Sequence, residues 1–223
     1  MFKPILDPET LPIESIAGEP AVPPQRLTID GLRARFANPP EWAPESSDGQ
    51  LMSKFAAAPT PASVLLPIVM RSDGPTLLLT RRTAHLNDHA GQISLPGGRV
   101  DESDASAIET ALRETEEEIG LHRRHIEILG MLPDYFTSTG FQVTQVVSLV
   151  QPPFDLRADP FEVAEIFEVP LAFLMDGMNH QRMSFDLPDG GGRRSFYAMP
   201  YERFFIWGAT AGMLRNLFHL LRA

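Results

Sequence analysis

The sequence predicts an α/β domain, and three observations lead there. Aliphatic runs of strand length recur at 63–70, 76–82, 126–132 and 142–150, and again around 164–170. An amphipathic pattern of helical period separates the second run from the third, and another helical pattern closes the chain. The 223 residues suffice for one such domain with a sizeable core, or for a domain with an extension.

Residues 1–26 are proline-rich and aperiodic, and they read as an extended N-terminal arm ahead of a domain spanning 27–223. "TIDGLRARFANPP" carries a short helical pattern stopped by Pro39 and Pro40. Because 41–61 is again loop-like, the folded body is expected to begin near Pro61. "SVLLPIVM" and "TLLLTRR" flank the turn residues "SDG" and predict a hairpin. The next helix is expected to start near Asp104, with Ser103 or Asp104 as N-cap, and to end at Gly120. Its positions Ala105, Ile108, Leu112, Thr115 and Ile119 step by three and four into one buried stripe. "IEILGML", "QVTQVVSLV" and "AEIFEVP" supply further strands. "DLPDGGGRRSFYAM" lacks the Lys-Ser/Thr pair and the following helix of a phosphate loop, so its glycines read as a hairpin turn. The tail "FFIWGATAGMLRNLFHLLRA" reads as an amphipathic helix with Leu214, Phe218 and Leu221 on its core face.

A formal net charge of −10 argues against nucleic acid as a partner, since such binders carry basic patches that displace counterions. Without cysteine there are no disulfides and no thiolate metal sites, and an intracellular address is the default. No apolar run approaches the roughly 18 residues of a membrane span, and the first residues lack the apolar core of a signal peptide. The expectation is a cytoplasmic protein with neither a nucleic-acid nor a membrane partner.

The chemistry concentrates in "LPGGRVDESDASAIETALRETEEEIGL", residues 95–121. At about 100° per residue, Glu114, Glu117 and Glu118 fall within an arc of roughly 100°, whereas Glu116 projects away from them. Convergent carboxylates near a helix C-terminus repel one another and oppose the helix dipole, so a cation should compensate them. Oxygen-rich clusters suit hard divalent ions such as Mg²⁺ or Mn²⁺, which also bind diphosphate oxygens. The "PGG" turn offers a backbone carbonyl, and Arg113 is placed to orient one of the acids through a bidentate pair.

These residues resemble the box of the Nudix hydrolases, G-x5-E-x7-R-E-U-x-E-E-x-G-U, where U is aliphatic. "RETEEEIGL" matches its second half except at Thr115. In the first half Asp104 stands at the acidic position, separated from Arg113 by eight residues rather than seven, a length that looks like the branch hydrolysing coenzyme A and its derivatives. That branch carries a preceding signature, approximately L-L-T-x-R-(S/A)-x3-R-x3-G-x3-F-P-G-G. It is matched by "LLTRRTAHLNDHAGQISLPGG" with departures at Thr83, Asn87 and Leu95.

The resemblance implies an α/β/α sandwich around a mixed sheet, and a homodimer as the commoner state. It implies Glu114, Glu117 and Glu118 as metal ligands together with the Gly97 carbonyl, and Arg113 as their orienting partner. Arg81, Arg82 and Arg99 are candidates for contact with the 3′-phosphate of coenzyme A, and His89 for positioning the substrate. Glu162 and Glu165 are candidate general bases. The expected partner is a small-molecule nucleotide, cleaved as coenzyme A or acyl-coenzyme A. Two alternatives are a diphosphatase for another nucleoside diphosphate derivative such as ADP-ribose, and a catalytically silent nucleotide-binding module.

Overall fold

In chain order the strands are β1 (Ile13–Ile16), β2 (Thr60–Arg71), β3 (Gly74–Arg82), β4 (Ile93–Ser94), β5 (Gly97–Arg99), β6 (Ile126–Phe136), β7 (Phe141–Val150), β8 (Val163–Pro170), β9 (Gln181–Asp186), β10 (Arg193–Tyr201) and β11 (Phe204–Trp207). The helices are α1 (Ile29–Ala37), α2 (Ala107–Ile119), α3 (Leu171–Leu174) and α4 (Gly208–Arg222). This computed structural model describes residues 7–45, 58–85, 90–187 and 192–223.

A seven-stranded mixed sheet runs β4-β3-β2-β7-β6, with β5 pairing β2 and β8 pairing β3. The β2–β7 pair is parallel and the other pairs are antiparallel. Alternation along the strands sends side chains to two faces. Leu65, Val69, Leu78, Val146 and Val150 fall in the small cores that contain Ala111 and Ile119 of α2. Their neighbours Leu66, Ile68, Leu77, Leu79, Val147 and Leu149 belong to the main core, with Leu32 of α1 and Leu214, Leu217 and Phe218 of α4. Helices therefore cover both faces of the sheet, which explains why its strands read as continuous aliphatic runs.

A second, four-stranded antiparallel sheet runs β1-β9-β10-β11. The glycine-rich segment read as a turn falls mostly outside the described residues, between β9 and β10, where Asp186 stands opposite Arg193. The tail differs from expectation in two ways. Phe204–Trp207 pairs with β10 as a strand, and α4 is buried from Thr210 to Phe218 rather than half-exposed. It lies under both sheets, so polar residues on it are drawn inward as well.

The folded body also begins earlier than Pro61. Val22, Leu27 and Leu32 are already in the main core, and Ile13–Ile16 is the edge strand of the second sheet. Arg215 on α4, 2% exposed, fixes this N-terminal stretch. It donates to Glu19 at 2.8 Å, to Glu45 at 2.6 Å and to Nδ1 of His180 at 3.0 Å, and lies 4.0 Å over the Tyr197 ring. Because a guanidinium only donates, His180 accepts at Nδ1 and carries its proton on Nε2, which donates to the Leu174 carbonyl at 2.9 Å. Burial holds that imidazole neutral, with its pKa lowered to about 4.

Candidate active site

α2 starts later than the periodicity suggests. Its N-cap is Ser106, whose hydroxyl accepts from the Glu109 amide, and Ala105 lies outside the helix and exposed. The "SAIE" tetrapeptide has the Ser-x-x-Glu spacing of a capping box and was the legible signal for this start. At the other end Gly120 adopts φ +69°, the left-handed conformation that glycine supplies without strain.

Released from capping, Asp104 takes another role. Arg113 donates to both its carboxylate oxygens, Nε to Oδ1 and Nη2 to Oδ2, each at 2.9 Å. Thr110 and the Asp101 amide donate to the same carboxylate. The Arg113 pair holds Asp104 well below the usual carboxylate range and raises the guanidinium above its own. Nη1 of Arg113 then reaches Glu114 and Glu117, both at 2.9 Å, and Nη2 meets the Arg99 carbonyl at 3.3 Å.

Glu118 faces another way. Its carboxylate accepts the Gly97 amide at 3.1 Å and stands 4.0 Å from Nη1 of Arg82. Burial dominates its electrostatics and pushes its carboxyl up to about 8. Glu114 is raised too, first by burial and then by Glu117 and Glu162. Glu116 points elsewhere, 4.0 Å from His122. The helix phase thus separates Glu116 from the other three, but the trio does not close together. Among the described residues no group of three acidic or histidine side chains stands at metal-holding distance. Arg113 donates to both Glu114 and Glu117, relieving the repulsion their proximity creates.

The two glycines of "PGG" lie in β5 rather than in a tight turn, and each is required for a different reason. Gly97 has φ +148°, and a Cβ there would stand 2.3 Å from the Ser63 carbonyl oxygen. At Gly98 a Cβ would stand 2.4 Å from the carboxyl carbon of Glu114. The strand is thereby a close floor beneath two carboxylates.

The remaining candidates divide. Arg82 and Arg99 line a cavity of about 840 Å³ together with Gly97 and Gly98, and Arg99 lies 5.4 Å over the Phe141 ring. Arg81 does not line it and pairs with Glu165 at 3.1 Å. Glu165 also accepts from Arg203, so two arginines engage it away from the carboxylates of α2. Burial is the main cause that raises Glu114 and Glu118, and the charge of Glu162 adds to both shifts, whereas Glu165 does not figure in either. His89 lies outside the described residues. Sequence reasoning missed the far wall of the cavity, where Arg182, Arg194, Phe196 and Trp207 come from the second sheet. No motif marks them, because pairing across β9, β10 and β11 assembles them.

The residues fit a divalent cation. Glu118 is a desolvated carboxylate whose nearest counter-charge is 4.0 Å away, and two further glutamates share a single guanidinium. A hard cation supplies the missing positive charge without needing a soft ligand.

Comparison with known proteins gives three findings. The NUDIX domain family matches residues 59–184. The "Uncharacterized Nudix hydrolase NudL" of Escherichia coli is 45% identical over 157 residues, covering 70% of this chain and 80% of that protein, and the same identity and coverage hold for NudL of Shigella boydii. A solved MutT NUDIX hydrolase from Burkholderia pseudomallei aligns at 21% identity with a TM-score of 0.44, covering 72% of this chain and 99% of that one.

Proposed function

The chain belongs to the Nudix hydrolase family, and from that premise we propose that it hydrolyses the diphosphate bond of coenzyme A or acyl-coenzyme A. The products are adenosine 3′,5′-bisphosphate and (acyl-)4′-phosphopantetheine. The family membership carries the coarser statement, a pyrophosphohydrolase acting on a nucleoside diphosphate derivative. The finer one rests on a single observation: the two signatures, 78–98 and 113–121, meet in space, with Arg82 of the first 4.0 Å from Glu118 of the second.

Glu114, Glu117 and Glu118, with the Gly97 carbonyl, would hold Mg²⁺ or Mn²⁺. Such an ion supplies charge neutralisation on the diphosphate and lowers the pKa of a bound water. Arg113 is a positioning residue, since its contacts are Asp104, Glu114, Glu117 and a backbone carbonyl. Glu162, which lies outside α2 and adds to the repulsion on Glu114 and Glu118, is the candidate general base. Arg82 and Arg99 line the cavity and balance substrate charge there.

The test is turnover by the purified protein with Mg²⁺ or Mn²⁺ on coenzyme A, acetyl-coenzyme A, ADP-ribose, NADH and diadenosine polyphosphates, with products identified by mass. The expected result is the highest kcat/KM for coenzyme A or a derivative, with adenosine 3′,5′-bisphosphate released. A clear preference for ADP-ribose overturns the coenzyme A reading in favour of another nucleoside diphosphate derivative.

A further inference from the structure

Glu162 lies in a turn that hydrogen bonds, rather than packing, hold in place. On either side the chain is anchored by burial: Leu156 and Ala158 pack against the small core that contains Ile119 of α2, and Val163 lies within it. Between those anchors the Phe161 ring is 64% exposed and meets the His85 ring edge-on at 5.0 Å, so apolar burial does not hold the turn. Hydrogen bonds reach it from two directions. On the α2 side, the Asp159 amide donates to the Glu118 carbonyl at 2.8 Å, and the Asp159 carbonyl accepts from the amides of Glu162 at 3.2 Å and Val163 at 2.8 Å. The Asp159 carboxylate accepts the Phe161 amide at 2.8 Å. On the β3 side, Thr83 uses both its donors: its amide donates to the Glu162 carbonyl at 2.9 Å and its hydroxyl to the Phe161 carbonyl at 2.8 Å.

Thr83 is buried, 7% exposed, and directly follows Arg82, whose guanidinium stands 4.0 Å from Glu118. The β3–β8 pair shifts register between Arg81 and Arg82 and ends with Arg82 opposite Val163, so Thr83 holds the chain just beyond the last strand pair. Two bonds in series, Asp159 to Glu118 and Glu162 to Asp159, tie the Glu162 backbone to the backbone of an α2 acid. We propose that Thr83 and Asp159 are positioning residues for the hydrolysis: they clasp the 159–162 turn between β3 and α2 and so hold Glu162 in place to take a proton. This rests on the reading of Glu162 as the general base. Each side chain acts through the turn and not on the substrate. A general base works only within hydrogen-bond reach of its proton, and a misplacement of about 1 Å lowers turnover by as much as roughly a hundredfold.

The test is steady-state kinetics of full-chain variants at saturating Mg²⁺, on whichever substrate gives the highest kcat/KM, so that the clasp and the identity of the substrate are decided separately. Thr83→Val keeps the shape and removes the hydroxyl; it should lower kcat roughly tenfold with KM within about twofold, whereas Thr83→Ser keeps the donor and should stay within about twofold of the unsubstituted protein. Asp159→Ala should behave like Thr83→Val, and Asp159→Asn, which keeps an acceptor, like Thr83→Ser. Glu162→Gln should lower kcat roughly a hundredfold, and adding Thr83→Val to it should lower kcat no further, because holding the turn matters only while it carries a base. Amide hydrogen exchange at Phe161 and Glu162 should quicken in Thr83→Val and not in Thr83→Ser, with circular dichroism confirming the fold of each variant. Equal losses for Thr83→Val and Thr83→Ser, losses that multiply in the double variant, or unchanged exchange in Thr83→Val overturn the clasp. An unaltered kcat in Glu162→Gln overturns the base and the clasp together. A best substrate other than coenzyme A or its derivatives overturns the substrate reading alone.

Discussion

Arg113 and Asp104 meet through two parallel hydrogen bonds of 2.9 Å, a fork that closes the loop before α2 onto the helix itself. The geometry fixes the guanidinium, and the free Nη1 then holds Glu114 and Glu117. Asp104→Asn keeps the shape and loses the charge, so Arg113 should reorient and both glutamates should lose their anchor. We expect kcat/KM to fall roughly tenfold or more, with activation requiring more metal. Steady-state kinetics over a Mg²⁺ titration will check it, and an unchanged metal requirement would remove Asp104 from the positioning chain.

Glu118→Gln should move activity and stability in opposite directions. Loss of a charged oxygen ligand, on the order of 4 kcal/mol of transition-state stabilisation, corresponds to about a thousandfold in turnover. Removing a desolvated charge should stabilise the metal-free fold by about 1 kcal/mol. Glu116→Gln, directed at His122, should stay within roughly tenfold in turnover. Urea melts and kinetics on the two variants decide this, and equal losses at both positions would mean that the helix phase carries no function.

The two glycines of β5 should fail differently when replaced by alanine. Gly98→Ala meets the movable end of Glu114, so the protein should fold and lose most of its activity. At Gly97 the obstacle is backbone and φ is +148°, so Gly97→Ala should cost stability directly, on the order of 2 kcal/mol or more. Thermal melts beside activity measurements distinguish the two.

Thr115 sits where the box has an aliphatic residue, and it is buried with its hydroxyl unpaired among the described residues. Thr115→Val keeps the shape and removes the unsatisfied group, so it should stabilise the protein by about 1 kcal/mol without changing kcat. Denaturation midpoints will show whether the gain exists.

Acid should loosen the Arg215 network in two stages. His180 has a folded pKa lowered to about 4 from 6.5, so the unfolded chain binds its proton first and stability falls as pH drops from 6.5 towards 4. Glu45 is lowered to about 2 from 4.5; burial opposes that shift, while its bonds to His219 and Arg215 outweigh it. Its contribution is present above 4.5 and lost as pH falls towards 2. His180→Gln should abolish the upper slope, on the order of 2–3 kcal/mol, and leave the lower one. Urea melts at a series of pH values report both.

The central sheet was legible because β2, β3 and β7 are covered on both faces and so must be aliphatic throughout. The acidic helix was legible because its phase separates Glu116 from its neighbours. The second sheet was not. Only the glycine-rich turn between 181–186 and 193–201 announced part of it; Ile13–Ile16 is far away in sequence and exposed along its length, so no hydrophobic alternation marks it as the edge strand. Arg113's true partner was obscured for a similar reason: Asp104 looked like a cap, and only the later start at Ser106 freed its carboxylate.

Arg215 gathers Glu19, Glu45 and His180, partners that enter the chain long before it. During synthesis those groups emerge first and wait. At a few to some twenty residues per second, the N-terminal stretch spends on the order of ten seconds or more outside the ribosome without the cation that neutralises it. Until α4 is released, Glu19 and Glu45 stay hydrated and β10 lacks the helix beneath it. The nascent protein therefore passes through a long interval in which the central sheet can assemble while the second sheet cannot be locked down, and a chain arrested before residue 215 is the species a chaperone or protease would meet.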